Sequence, residues 1–381
     1  MPRDGGRAIG VAVVAALVLA GCAATPDRPL WPGSKYTEAA RAKALLRALA
    51  FIDHSADDAA HFRESGSDYL YCFSSIARTA RDPALSAAAA RMGSKCAKRW
   101  AEMYATVPAG VDADDTADLV FGWYAASELG QNDRHIKPAL RRAAAHFTAT
   151  DYLLFDPRYE APPSDVPEQC PHDFVWNLRG ATVCKKCGRH LDLRSRYDVW
   201  LDALITTYTG DCYGIQLGAP YEAVLRWLPV MRPYLDRRHT TDAEFIDTFY
   251  AVTHVVYTLN DYGRYLLPRD LLEDEFQFLR GNAPEAIALN DPETTGEFLD
   301  SLKSFGMNGS DEVIRAGMSY LLDTQRADGT WSRPEEKDFY TLYHSAWTGI
   351  DGLKDCRWQG EGISFPKLRR WLEELHPQHG L

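Results

Sequence analysis

The sequence predicts an all-α protein of about six helix pairs, on three observations. Apolar residues recur at helical spacing along most of the 381 residues, and strand-like alternation is scarce. Proline and glycine fall at or near the ends of those periodic stretches, at Pro83, Pro108, Pro138, Pro220, Pro268, Pro292 and Gly309. The stretches also alternate in character. Residues 243–259 are apolar nearly all round, whereas 310–325 are apolar on one face only. Buried helices alternating with amphipathic ones describe an inner ring wrapped by an outer ring, an α/α toroid.

Taken in order, helices are expected over 36–55, 66–80, 83–105, 115–129, 134–149, 196–209, 220–234, 241–260, 268–281, 292–305, 310–325, 338–351 and 365–375. Residues 153–195 break the pattern, being rich in proline, cysteine and charge, and read as an insertion. The toroid is therefore expected in two parts, 36–152 and 196–381.

The N-terminus reads as a targeting segment. Arg3 and Arg7 supply a positive start, and residues 8–20 form an apolar run short for a bilayer span but suited to a signal peptide. Leu19-Ala20-Gly21-Cys22 resembles the bacterial lipoprotein box. The resemblance implies a leader over 1–21, lipid on the Cys22 sulfur, and attachment to a membrane through that lipid. Ala23, not aspartate, then favours the outer membrane, facing the periplasm. Residues 22–35 form a tether.

Composition bounds the partners. The formal charge is -11 and no basic run exists, which excludes a nucleic-acid footprint. Aromatics make up 12%, with 10 Trp and 19 Tyr, a surplus suited to lining a cavity for an apolar or glycan small molecule.

One frame occurs twice. His254, Tyr257, Thr258 and Asp261 match His344, Trp347, Thr348 and Asp351 in a His-x-x-aromatic-Thr-x-x-Asp spacing. Positions i and i+7 lie about 10 Å apart along a helix, so neither frame is a dyad by itself. The expectation is a pairing across the ring, His254 with Asp351 or His344 with Asp261.

Four motifs carry resemblances. Asp112-Ala-Asp114-Asp115-Thr116-Ala117 resembles the acid motif of class II terpene cyclases, which would make Asp114 the proton donor; a helix-capping role is the alternative. Gln325-Arg-Ala-Asp328-Gly329-Thr330-Trp331 resembles the Gln-Trp turn of the same toroid superfamily. Tyr343-His344, with Gly352-Leu353 after it, is similar to the zinc-histidine segment of protein prenyltransferase β subunits. Asp211-Cys212-Tyr213-Gly214 is similar both to their further zinc element and to a zinc-cysteine segment of lanthionine cyclases. Together these imply a catalytic zinc on Cys212 and His344, completed by His254 or Asp211, with Tyr213, Tyr257 and Trp347 lining the pocket.

The insertion resembles a zinc ribbon. Cys170, Cys184 and Cys187 match its ligands, while Asp173 stands where a cysteine is usual and His172 is the alternative fourth ligand, with His190 more distant. Such a closed site is structural. Cys72 and Cys96, on consecutive helices, are a candidate disulfide.

The leading expectation is an envelope lipoprotein enzyme with a zinc or acid centre built from Asp114, Cys212, His254 and His344, acting on a lipid-like or peptide-thiol substrate. The rivals are a polysaccharide lyase or hydrolase, as on other α/α barrels, and a non-catalytic lipid- or partner-binding protein.

Overall fold

A computed structural model describes residues 28–173, 175–332 and 336–375. The expected leader and Cys22 lie outside them. Helices dominate: α1 (Glu38–Asp57), α2 (Ala59–Thr79), α3 (Pro83–Met103), α4 (Ala113–Glu128), α5 (Lys137–Ala144) and α6 (Ala149–Leu153) precede the insertion. After it come α7 (Arg196–Tyr213), α8 (Tyr221–Leu225), α9 (Leu228–Met231), α10 (Asp242–Asn260), α11 (Glu273–Ala288), α12 (Pro292–Ser304), α13 (Glu312–Thr324), α14 (Phe339–Leu353) and α15 (Arg369–Glu374). No helix among the described residues is long and apolar enough to cross a membrane.

Helix starts follow capping chemistry. Thr37, Asp58, Asp82, Ser195, Thr241, Asp291 and Asp338 each accept a hydrogen bond from a first-turn amide. Capping by Asp58 starts α2 at Ala59, earlier than the expected 66, with a kink at Ser65. The stretch 220–234 divides into two shorter helices, and 134–149 is helical only over Lys137–Ala144 before a new helix starts at Ala149. By contrast, α11 continues to Ala288 through Pro284, where an end was expected at 281.

The packing order is closed. α2 contacts α4, α4 contacts α7, α7 contacts α10, α10 contacts α12, α12 contacts α14, and α14 returns to α2. The remaining longer helices bridge neighbours in that series: α1 lies on α14 and α2, α3 on α2 and α4, α11 on α10 and α12, α13 on α12 and α14. Burial tracks this division. α12 is buried from Thr294 to Ser304, whereas α13 buries only Ile314, Gly317, Met318 and Leu321, a single i, i+3, i+4, i+7 stripe.

Two local features fix helix positions. At the Gln325–Trp331 turn, Gln325 Nε2 donates to the Ala44 carbonyl (2.9 Å), Asp328 accepts from the Thr330 amide (3.1 Å), and Trp331 Nε1 donates to the Leu321 carbonyl (2.7 Å). Gly329 has φ +100, and a Cβ there would lie 2.5 Å from the Arg47 carbonyl oxygen, so only glycine fits. The second feature is the α12–α14 crossing. A methyl on Gly296 would run into the Thr348 carbonyl, and one on Gly352 would lie 2.9 Å from Gly296 Cα. Glycine on both sides lets the two backbones touch.

In the insertion, β1 (Val166–Pro167) pairs antiparallel with β2 (Leu193–Arg194), placing Val166 opposite Arg194. The loop between them has its own small core of Cys170, Cys184 and Leu191.

Candidate functional site

Three helices converge on one cavity. α12 carries Glu293, Glu297 and Asp300, spaced i, i+4 and i+7 and so on one face. α10 presents His254 and Tyr257, and α14 presents His344, Trp347 and Asp351, to a cavity of about 40 Å³ that Glu297 and Asp300 also line. The glycine contact between α12 and α14 brings His344 to the carboxylates: its Nδ1 is 3.0 Å from Glu293 Oε1, within ion-pair range but off the line of a well-formed hydrogen bond. Tyr250 donates to Glu293 Oε1 (2.8 Å), and Thr253 donates to Glu297 Oε2 (2.7 Å). His254 Nδ1 donates to the Tyr250 carbonyl (2.8 Å), which leaves Nε2 as the acceptor nitrogen of the ring.

Burial and neighbouring charge together drive the two histidines apart. Burial disfavours the His344 imidazolium, but Glu293, Glu297 and Asp68 outweigh it and raise His344 to about 9. Burial lowers His254 to about 4, against the pull of the Tyr250 carbonyl, and the charge on His344 adds to the depression. Burial raises Glu297 to about 8 despite His344 and Thr253, while Glu293, though buried, is held below its ordinary value by His344.

Beside this centre lies a buried charge cluster. Lys354 Nζ is 2.5 Å from Asp351 Oδ1 and 3.6 Å from Asp300 Oδ1, with its side chain 2% exposed. Lys303 is committed elsewhere, donating to the carbonyls of Asp351, Gly352 and Lys354 at the end of α14. Lys354→Met would leave two carboxylates without their cation, and a loss of about 3–5 kcal/mol is expected in equilibrium denaturation. A loss below about 1 kcal/mol would show that the cluster does not depend on Lys354.

Tyr340 is a half-exposed ring stacked on His344 at 5.0 Å between centroids. Burial and then the charges of Asp68, Glu293, Glu297 and Asp202 push the Tyr340 hydroxyl up. Asp68 accepts from Tyr343 at 2.7 Å. Burial, with Asp68 and Asp115 adding, raises Asp118 to about 6 although Ser67 donates to it.

The residues singled out in the sequence divide. His254, Tyr257, His344, Trp347 and Asp351 share the cavity. Neither expected His–Asp pair forms: Asp351 is taken by Lys354, and Asp261 by Arg78, Arg264 and Tyr208. Asp114 is exposed in the first turn of α4, where Asp112 caps the helix. Cys212 is exposed at the end of α7, where Tyr124, Tyr208 and Asp261 are its neighbours, and it is absent from the metal-capable group at His344. Tyr213 packs beneath Lys137, whose Nζ is 3.9 Å from its ring centroid. Among the described residues, the metal-capable group at His344 is completed by Glu293 and Glu297, without Cys212 or Asp211. The prenyltransferase-like ligand set therefore does not assemble. Cys72, Cys96 and Cys356 are free thiols, so no Cys72–Cys96 disulfide is present.

In the insertion, Cys170, Asp173, Cys184 and Cys187 bring their ligand atoms within 4.8 Å of one another, a group able to hold a metal ion. The fourth member is Asp173; His172 pairs with it at 3.2 Å from the outside. Amides of the Cys-x-x-Cys turn, that of Cys187 first, lower Cys184 to about 7, as a thiolate ligand requires.

Sequence reasoning missed Glu293 and Glu297. Their signal was available: carboxylates at i, i+4 and i+7 on a helix with a central glycine. No family model and no curated protein matches the chain.

Proposed function

We propose that the chain is an enzyme of the bacterial cell envelope, lipid-anchored at Cys22, built as an α/α toroid, and cleaving a hydroxyl-rich, glycan-like substrate by hydrolysis or elimination. The observation that carries this reading is the convergence of Glu297, His344 and His254 from three helices on one cavity walled by Tyr257, Tyr262 and Trp347, with Glu293 clustered beside Glu297 and His344. Clustered acid–base groups beside aromatic faces suit proton transfer at a glycosidic linkage.

Polarity favours this class over a terpenoid or prenyl substrate. An apolar chain bound here would face Glu297, Asp300 and Asp351, all of which line the cavity, and would offer no hydrogen bond to the acceptor positions that Thr253 and Lys354 leave open. Sugar hydroxyls would satisfy them. The closed packing order and the Gln325–Trp331 turn support the toroid, and with it a likeness in architecture to terpenoid cyclases and prenyltransferases. Architecture does not carry chemistry with it. The ribbon-like insertion is proposed to hold a structural zinc on Cys170, Asp173, Cys184 and Cys187, a donor set of thiolates and one carboxylate that zinc accepts.

The test is a turnover screen of the purified chain on envelope and uronic-acid glycans, alongside polyprenyl diphosphates. Glycan cleavage that disappears in His344→Asn supports the reading; turnover of the prenyl substrates alone, or glycan cleavage undiminished by the substitution, sinks it. Anchoring is checked separately. Cells fed an alkynyl palmitate should label the wild-type protein and not Cys22→Ser, and equal labelling would refute the anchor.

A further inference from the structure

We infer that Glu293, Glu297 and His344 form a second divalent-metal site with one open position facing His254. The inference rests on reading this cavity as the reactive centre. The ligand atoms of the three residues lie within 4.8 Å of one another, close enough to converge on one ion with small side-chain movements.

Three independent features point to a cation. Glu297 is 3% exposed, and no arginine or lysine among the described residues forms an ion pair with it or with Glu293. A carboxyl group buried that deeply is either held protonated or matched by a cation, and a metal ion would supply the second. Next, the outer contacts that orient metal ligands are already in place: Tyr250 on Glu293 and Thr253 on Glu297. Lastly, Nδ1 of His344 is buried and faces Glu293 at 3.0 Å without a well-aligned hydrogen bond. His254 lies outside the triad but lines the same cavity as Glu297 and His344, and its Tyr250 hydrogen bond leaves Nε2 as an acceptor.

The donor set distinguishes this site from the ribbon. Two carboxylates and an imidazole, without thiolate, suit zinc, manganese or cobalt. A metal with three protein ligands and an open position activates water or polarises a bound oxygen.

The experiment uses the full mature chain with the ribbon cysteines intact. Zinc stoichiometry by atomic emission should be two per chain, falling to one in Glu297→Gln and in His344→Asn. Cobalt titration of the metal-stripped protein should show one ion with thiolate charge-transfer absorption and one without, the second lost in both variants. A single ion per chain, with the thiolate signature, overturns the site, as do two ions retained in the variants. If a variant misfolds, X-ray absorption of zinc-loaded wild type decides: half the zinc in a purely N/O shell supports the site, and an all-sulfur-rich shell overturns it. The two readings fail separately. Loss of turnover in Glu297→Gln at one zinc per chain throughout removes the metal and keeps the reactive centre. Two zincs without turnover of any glycan keep the metal and remove the substrate class.

Discussion

Glu297→Gln is expected to lower kcat/KM on the cleaved glycan by roughly 10²–10⁴-fold while leaving the fold intact. Glutamine has nearly the same volume and still accepts the hydrogen bond that Thr253 gives Glu297 at 2.7 Å. Packing is therefore preserved. The substitution removes the charge that bears on His344 and the ability to gain or lose a proton. It also removes the charge of one proposed metal ligand. Steady-state kinetics and a thermal melt, run together, check the prediction. Activity within about threefold of wild type, with an unchanged melt, would show that Glu297 does no chemistry.

Gly296→Ala is expected to remove the activity and cost about 1–3 kcal/mol or more in stability, because the added methyl meets the Thr348 carbonyl and not a side chain that can rotate away. α12 and α14 must then part, and their separation carries Glu293 and Glu297 away from His344. Gly281→Ala on α11 is the control. Nothing lies within 4 Å of a Cβ there, so alanine's helix preference should leave stability unchanged or raise it by up to about 1 kcal/mol. Denaturation midpoints for the two variants, with activity measured alongside, separate a specific crossing from a general intolerance of alanine. Equal, near-zero effects at both positions would contradict the close contact.

Much of the helical framework was legible in the sequence because burial and capping leave local marks. The all-round apolar stretch at 243–259 and the one-faced stretch at 310–325 occupy the buried and the outer positions of the packing order. The Gln325–Trp331 turn was legible because part of its bonding is local: Gln325 donates to the Gly329 carbonyl and Asp328 accepts from the Thr330 amide. Helix ends were less so: Pro284 does not stop α11, since proline's cost in one turn is outweighed by the packing of the whole helix.

The site was half legible. His254, Tyr257, His344 and Trp347 stood out through repetition, and they do share a cavity. Their partners did not stand out. Glu293 and Glu297 sit in a segment, Pro-Glu-Thr-Thr-Gly-Glu, that reads as an ordinary polar helix start until packing shows it is buried. Cys212 misled for the complementary reason. Its neighbours in sequence match a zinc element, yet its position at the end of α7 sets it beside Asp261 and the tyrosines. Which residues meet between helices is decided by helix order and by contacts such as Gly296 on Thr348, and neither leaves a local signal.

The central claim is that α10, α12 and α14 assemble one reactive centre at Glu293, Glu297 and His344. Anomalous scattering at the zinc edge, from crystals of the zinc-loaded mature chain, tests it most directly. The account predicts two peaks per chain, one among Cys170, Asp173, Cys184 and Cys187 and one bounded by Glu293, Glu297 and His344. A ribbon peak alone, with His344 and the two glutamates turned apart, would contradict it.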